Sequence, residues 1–235
     1  MKILALDSSA TVATVALCDG ERLLAEYTLN NGNTHSETLL PMVGTILSAF
    51  GLRVADIELF ACTSGPGSFT GVRIGAATVK GLAFGMDTPC VGVSTPEAIA
   101  ENLSHLKGLV CPVMNARRAQ VYTALFRSNG ERLERLMPDS ALSIAELDER
   151  LSAYGEPVAF CGDGYGITLE NLKLTAVRPI PERLRHQSAY SVAQVALRHH
   201  LAGESVTDAA LSVNYLRPSQ AERTRMEQEQ SNHTK

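Results

Sequence analysis

Apolar positions along the chain fall into short runs parted by polar turns, and the period of each run predicts its element. Ile3-Leu4-Ala5-Leu6 runs into Asp7 as a first strand, Thr11–Cys18 alternates as a second, and Asp19-Gly20 is a hairpin signal before a third over Arg22–Leu29. Three strands joined by tight turns read as an antiparallel meander. Thr34 and Glu37 stand at capping-box spacing, and Leu39, Val43, Ile46, Leu47 and Phe50 follow at helical spacing with Gly51 as the stop. Pro41 is expected to disturb the early part of that helix. Ile57–Thr63 reads as a buried strand. The stretch Gly65-Pro66-Gly67-Ser68-Phe69-Thr70-Gly71-Val72-Arg73-Ile74-Gly75 then leads into a helix to about Gly85, a strand over Pro89–Ser94 and a helix opened by Thr95-Pro96.

The second half repeats the order. Leu109–Met114 ends at Asn115, Ala119–Phe126 alternates, Asn129-Gly130 is a second hairpin signal, and Glu131–Met137 is a third strand. Ser143 caps a helix, Val158–Cys161 runs into Gly162-Asp163-Gly164, and Ser188–Leu201 is an amphipathic helix. Gly20-Glu21-Arg22-Leu23 recurs as Gly130-Glu131-Arg132-Leu133, each time at the start of a third strand. A period this long predicts two similar lobes rather than a solenoid. The expected fold is α/β: a duplicated RNase H-like fold of the actin, sugar kinase and Hsp70 superfamily, each lobe a mixed sheet with helices. The expected division is 1–107, 108–218, and a polar tail over 219–235.

Composition narrows the function. The 235 residues include 21 Lys and Arg against 25 Asp and Glu, a net charge of −4, so the chain lacks the basic footprint of a nucleic-acid grip. No signal peptide or membrane-spanning run is read, and a cytoplasmic protein is expected. Cys18, Cys62, Cys90, Cys111 and Cys161 form no CxxC pair, and the histidines form no HxxxH or HExxH, so no metal site is expected and a metallopeptidase is disfavoured. The glycine-rich stretch lacks the GxxxxGK[ST] order of a phosphate loop, and Arg73 is its nearby cation.

Leu4-Ala5-Leu6-Asp7-Ser8-Ser9, His35-Ser36-Glu37 and above all the run from Gly65 to Gly75 resemble the bacterial TsaB family, also called YeaZ. The resemblance continues through Gly81-Leu82-Ala83 and Gly92-Val93-Ser94-Thr95, thins to Ala116-Arg117 and Val121-Tyr122, and returns at Asn214-Tyr215-Leu216-Arg217. It implies a non-catalytic scaffold and activator of TsaD, which transfers a threonylcarbamoyl group to the adenosine beside the tRNA anticodon. It further implies TsaE, an ATPase, as a partner, TsaC as the maker of the adenylate, a homodimer in isolation, and tRNA contact only through the complex. No cofactor is expected of this chain itself, with ATP or ADP at the interface with TsaD as an open possibility.

Two sites follow. In an active member of the superfamily the cleft would be built on Asp7, Ser8, Ser9, Asn115, Arg117, Gly162 and Gly164. Asn115 stands where the second acid would be, so Asp7 is read as a turn-capping residue and the cleft as degenerate. The alternative is an autonomous ATPase or kinase. The partner surface is assigned to Leu39, Val43, Ile46, Leu47, Arg73, Ile74 and Thr78, with glutamates at Val43 and Leu47 expected to break docking and spare the fold. Glycines at 71, 75, 81 and 85 are expected to mark close approach by another backbone, with a partner helix favoured on the exposed face.

Overall fold

The computed structural model describes residues 1–32 and 34–217; the tail read at 219–235 lies outside the described residues. β1 (Lys2–Asp7), β2 (Ala13–Asp19) and β3 (Arg22–Leu29) form the antiparallel meander, followed by α1 (His35–Ala49), β4 (Leu59–Gly65), α2 (Phe69–Ala83), β5 (Cys90–Ser94) and α3 (Thr95–Glu101). The order then restarts with β6 (Gly108–Asn115), β7 (Gln120–Ser128), β8 (Leu133–Ser143), α4 (Ile144–Ser152), β9 (Val158–Cys161), α5 (Tyr165–Asn171), β10 (Val177–Arg178) and α6 (Ala189–Leu201). The first sheet runs β3-β2-β1-β4-β5 and the second β8-β7-β6-β9-β10, with β4 parallel to β1 and β9 parallel to β6. The duplicated α/β architecture is therefore repeated strand for strand, with α5 and β10 added to the elements read from the sequence.

The period-two alternation sorts each central strand between two cores. Leu4 and Leu6 of β1 face α1 and α2, together with Val15, Leu17, Phe60 and Cys62. Ile3 and Ala5 face the other way, with Ala16, Leu59 and Ala61, onto Val192, Ala193, Val195 and Ala196 of α6. In the second sheet Leu109, Cys111 and Val113 pack with Leu147 and Leu151 of α4, while Val110 and Met114 pack with Ile99 and Ala100 of α3 and with Leu103 just after it. The third helix of each half has thus crossed over: α6 covers the first sheet and α3 packs chiefly on the second. The two units are not continuous in sequence, although Gly108 opens the second sheet.

Two local expectations change. Thr34 precedes α1, but its side chain makes no capping bond; its carbonyl accepts from Glu37 N at 3.1 Å instead. Pro41 lies inside α1 without ending it. The reciprocal capping box forms instead at α4, between Ser143 and Glu146.

Candidate functional site

The meander hairpins of the two halves meet at a cleft between the lobes, a cavity of about 690 Å³. Ser9, Ala10 and Thr11 line it from the first hairpin, and Asn115, Ala116 and Arg117 from the second. Pro66 to Thr70 form one wall, and Asp163 and Tyr122 belong to the second lobe's side. The segment Asn214–Arg217 lies across it.

Asp7 does not reach this cavity. It is buried beneath the first hairpin, and its Oδ1 accepts from Ser9 N at 2.7 Å and Thr63 Oγ1 at 2.9 Å. Burial pushes its pKa up, against the lowering effect of those hydrogen bonds. Asn115, its counterpart, makes the same turn: its Oδ1 accepts from Arg117 N, again two residues on, at 2.9 Å. Both residues cap the hairpin that follows their strand. Neither hairpin therefore offers a carboxylate to a ligand.

Ser8 is also withdrawn, donating from Oγ to Gly71 O at 2.9 Å. The glycine-rich segment presses on this hairpin so closely that a Cβ at Gly67 would lie 2.5 Å from Ser9 O, and one at Gly75 2.9 Å from Ser8 Oγ. A Cβ at Gly71 would collide with Ser8 O. The close approach expected of Gly71 and Gly75 is thus internal. The partner-helix explanation therefore applies to neither of them, while a Cβ at Gly81 or Gly85 would meet nothing within 4 Å. Gly162 and Gly164 also do not line the cavity. They let the turn after β9 pack onto Val113 O and the Asn115 backbone, and that turn sets Asp163 at the cavity with Oδ1 accepting from Asn115 N at 3.1 Å. Burial raises the pKa of Asp163 and the Asn115 N–H lowers it, with burial dominant. Its flanking glycines were the legible signal, yet the chemistry belongs to the residue between them.

The second hairpin carries three successive left-handed residues, Arg117, Arg118 and Ala119, at φ 62°, 53° and 54°. None is glycine, and each costs on the order of 1–2 kcal/mol. At the far wall no strand forms among the described residues. After α6 the chain pairs Val206 with Cys90, buries Leu211 in the first core and donates Asn214 N to Ser64 O at 2.6 Å. Tyr215 then lies against Phe69, ring centroids 4.8 Å apart, and Arg217 donates to Gln120 of the second lobe.

The assigned partner residues are corrected. Leu39, Val43, Ile46 and Leu47 are at most 5% exposed, because their face of α1 packs on the first sheet. Ile74 and Thr78 are half-buried, and Arg73 is exposed. What α1 and α2 present outward is Leu40, Pro41, Gly44, Thr45 and Ser48 on one helix and Thr70, Arg73, Ala77 and Gly81 on the other. Phe50 and Phe84, which end the two helices, are exposed too. Helical spacing named the apolar face correctly, but that face is the one the monomer itself buries.

All five cysteines are buried and unpaired, and burial pushes the Cys62 and Cys111 thiols up to about 12. Among the described residues no group of three His, Cys, Asp or Glu is placed to hold a metal ion, and no helix is long and apolar enough to cross a membrane.

A family model described as TsaD, tRNA N6-adenosine threonylcarbamoyltransferase, matches residues 22–221. A Bacillus subtilis protein named tRNA threonylcarbamoyladenosine biosynthesis protein TsaB is 37% identical over 162 residues, covering 69% of this chain and 71% of that protein. The Escherichia coli protein of the same name is 38% identical over 129 residues, and there the match spans 54% of this chain and 55% of the relative. The solved structure of YeaZ from Pseudomonas aeruginosa superimposes with a TM-score of 0.78 at 28% identity, covering 92% of this chain and 99% of that one. A second Pseudomonas aeruginosa structure, described as an uncharacterized protein with similarity to peptidase YEAZ, reaches 0.80 over the same shares at the same identity. With its duplicated fold, its glycine-locked hairpin and these relatives, the chain, which matches the TsaD family model, belongs to the TsaB family of tRNA threonylcarbamoyladenosine biosynthesis proteins.

Proposed function

We propose that this chain is a non-catalytic scaffold and activator of a TsaD-type transferase in threonylcarbamoyl transfer to the tRNA adenosine. The observation that carries the reading is the pair Asp7 and Asn115: one carboxylate turned inward and one neutral amide, each spent on its own hairpin. Phosphoryl chemistry of the superfamily relies on acids that orient metal and water, and among the described residues the acid lining this cleft is Asp163, held by a backbone N–H. The outward face of α1 and α2 supports docking of a protein of like fold, because small residues at Gly44, Ala77 and Gly81 allow close helix approach. The same face serves a homodimer when the chain is alone.

TsaE and TsaC complete the proposed system in the cytoplasm, and tRNA is gripped by the assembly rather than by this acidic chain. The chain needs no cofactor of its own. Should ATP or ADP take part at the interface with TsaD, the cavity beside the N-terminus of α2 is its place in this proposal.

Reconstitution tests the reading. TsaC, TsaD and TsaE are mixed with tRNA, threonine, bicarbonate and ATP, with and without this chain. Modified adenosine should form only in its presence, and equal modification without it overturns the proposal. Hydrolysis of ATP by the isolated chain would favour the autonomous ATPase instead. For the docking face, Leu40→Glu combined with Ala77→Glu should abolish copurification with TsaD while thermal unfolding stays unchanged.

A further inference from the structure

Arg73 is the charged residue on the outward stripe of α2, whose other members are Thr70, Ala77 and Gly81. Its guanidinium is fixed from within the chain. It lies over the Phe69 ring, 3.8 Å from the centroid, and its Nε donates to Tyr215 Oη at 2.6 Å. Both anchors also line the cleft, whereas Arg73 itself does not. Among the described residues Arg73 forms no ion pair, and Tyr215 Oη is a neutral acceptor that occupies Nε alone. The two terminal nitrogens form an exposed, pre-set fork that meets no acceptor among the described residues.

Docking on this face would take that fork out of water. A guanidinium desolvated without an acceptor is strongly unfavourable, and a planar fork held by stacking loses little entropy on binding a carboxylate bidentately. Arg and aromatic side chains together also make up the composition of interface hot spots. We propose that Arg73 anchors the docking surface by receiving a carboxylate from an Asp or Glu side chain of the partner, with Phe69 and Tyr215 as its positioning residues. This inference rests on the docking reading above. It makes the segment after α6 a support of the interface, since Tyr215 follows directly on Asn214, which is tied to Ser64.

The test is calorimetric titration of a purified TsaD-type protein into this chain at low and high salt. Arg73→Gln should weaken binding roughly tenfold or more, and Arg73→Lys by nearly as much, because an ammonium lacks the fork. Tyr215→Phe, which keeps the ring and loses the Nε acceptor, should weaken it by a smaller factor. The salt dependence of binding should shrink in Arg73→Gln. Arg73→Glu should be rescued by an acid-to-Lys substitution at one position of the partner. If Ala77→Glu abolishes binding and Arg73→Gln leaves affinity within about twofold, the anchor is wrong and the docking face stands. Unchanged binding in both variants overturns both. Loss in Arg73→Gln with no rescuing partner acid overturns the carboxylate.

Discussion

Asp7 shows how environment reassigns a residue type. A carboxylate at the end of a first strand invites a metal or phosphate reading, yet burial and two hydrogen bonds on one oxygen make it part of a turn. Its folded pKa is raised, so the native state holds the proton more tightly than the unfolded chain, and stability falls as pH rises from the ordinary carboxylate range through the folded value. Asp7→Asn keeps the acceptor without the charge. It should be at least as stable as the wild type at pH 7.5 and lose that advantage near pH 4.5, as denaturant unfolding at the two pH values would show. It should also support full tRNA modification in the reconstituted system. His199 carries the opposite sign. Its hydrogen bond to Glu97, 3.5 Å from Nε2, raises its pKa, with Glu204 adding to the effect. That contribution is complete below about pH 6.5 and lost as pH rises through the folded value. The melting temperature of His199→Gln should therefore trail the wild type at pH 6 and converge with it above pH 8, a gap that persists at high pH being the contrary result.

At the scale of elements, α1 and α2 each carry two faces that the sequence does not label as inner and outer. Leu39, Met42, Val43, Ile46 and Leu47 are core, so Val43→Glu with Leu47→Glu should unfold the chain, at a cost of roughly 4 kcal/mol or more, instead of cleanly removing docking. Glycine splits in the same way. A Cβ at position 71 meets Ser8 O, and Gly71→Ala should lower stability by about 1–3 kcal/mol. A Cβ at Gly81 meets nothing, and Gly81→Ala should raise stability by about 1 kcal/mol by helix propensity alone. Chemical denaturation of the two variants separates glycine required by a close approach from glycine merely present in a helix. The glycine pattern in the sequence announces a tight passage, but the partner of that passage is Ser8-Ser9, about sixty residues earlier in the chain.

At the scale of the whole molecule, the exchange of α3 and α6 is the main architectural fact. Each sheet needs a helix contributed by the other half, so neither half is a closed unit. Ending the chain before α6 exposes Ile3, Ala5, Ala16, Leu59 and Ala61 of the first sheet. A chain truncated at residue 187 should lose cooperative folding of both lobes, visible as a missing calorimetric transition; a surviving transition of the first half would contradict the exchange. The segment after α6 extends this dependence, crossing the first lobe at Cys90 and Ser64 before Arg217 meets Gln120.

Local periodicity in the sequence was enough for the strand order of each half, the duplication and most helix limits, and the pairing of Asp7 with Asn115 across the duplication gave the turn-capping role of Asp7. Period-two and 3.6-residue patterns are properties of neighbouring residues, and they survive without knowledge of the fold. The family resemblance was legible for the same reason, since it rested on one contiguous glycine-rich run. Three features depended on residues far apart in the chain, and only the tertiary structure decided them. These were which side of α1 and α2 faces the sheet, which helix covers which sheet, and that Phe69, Arg73 and Tyr215 form one cluster. An apolar stripe specifies that a helix buries one face, but burial against a sheet and burial against a partner draw on the same side chains. Here the monomer's own sheet, held beside the helix by the same chain, takes that stripe.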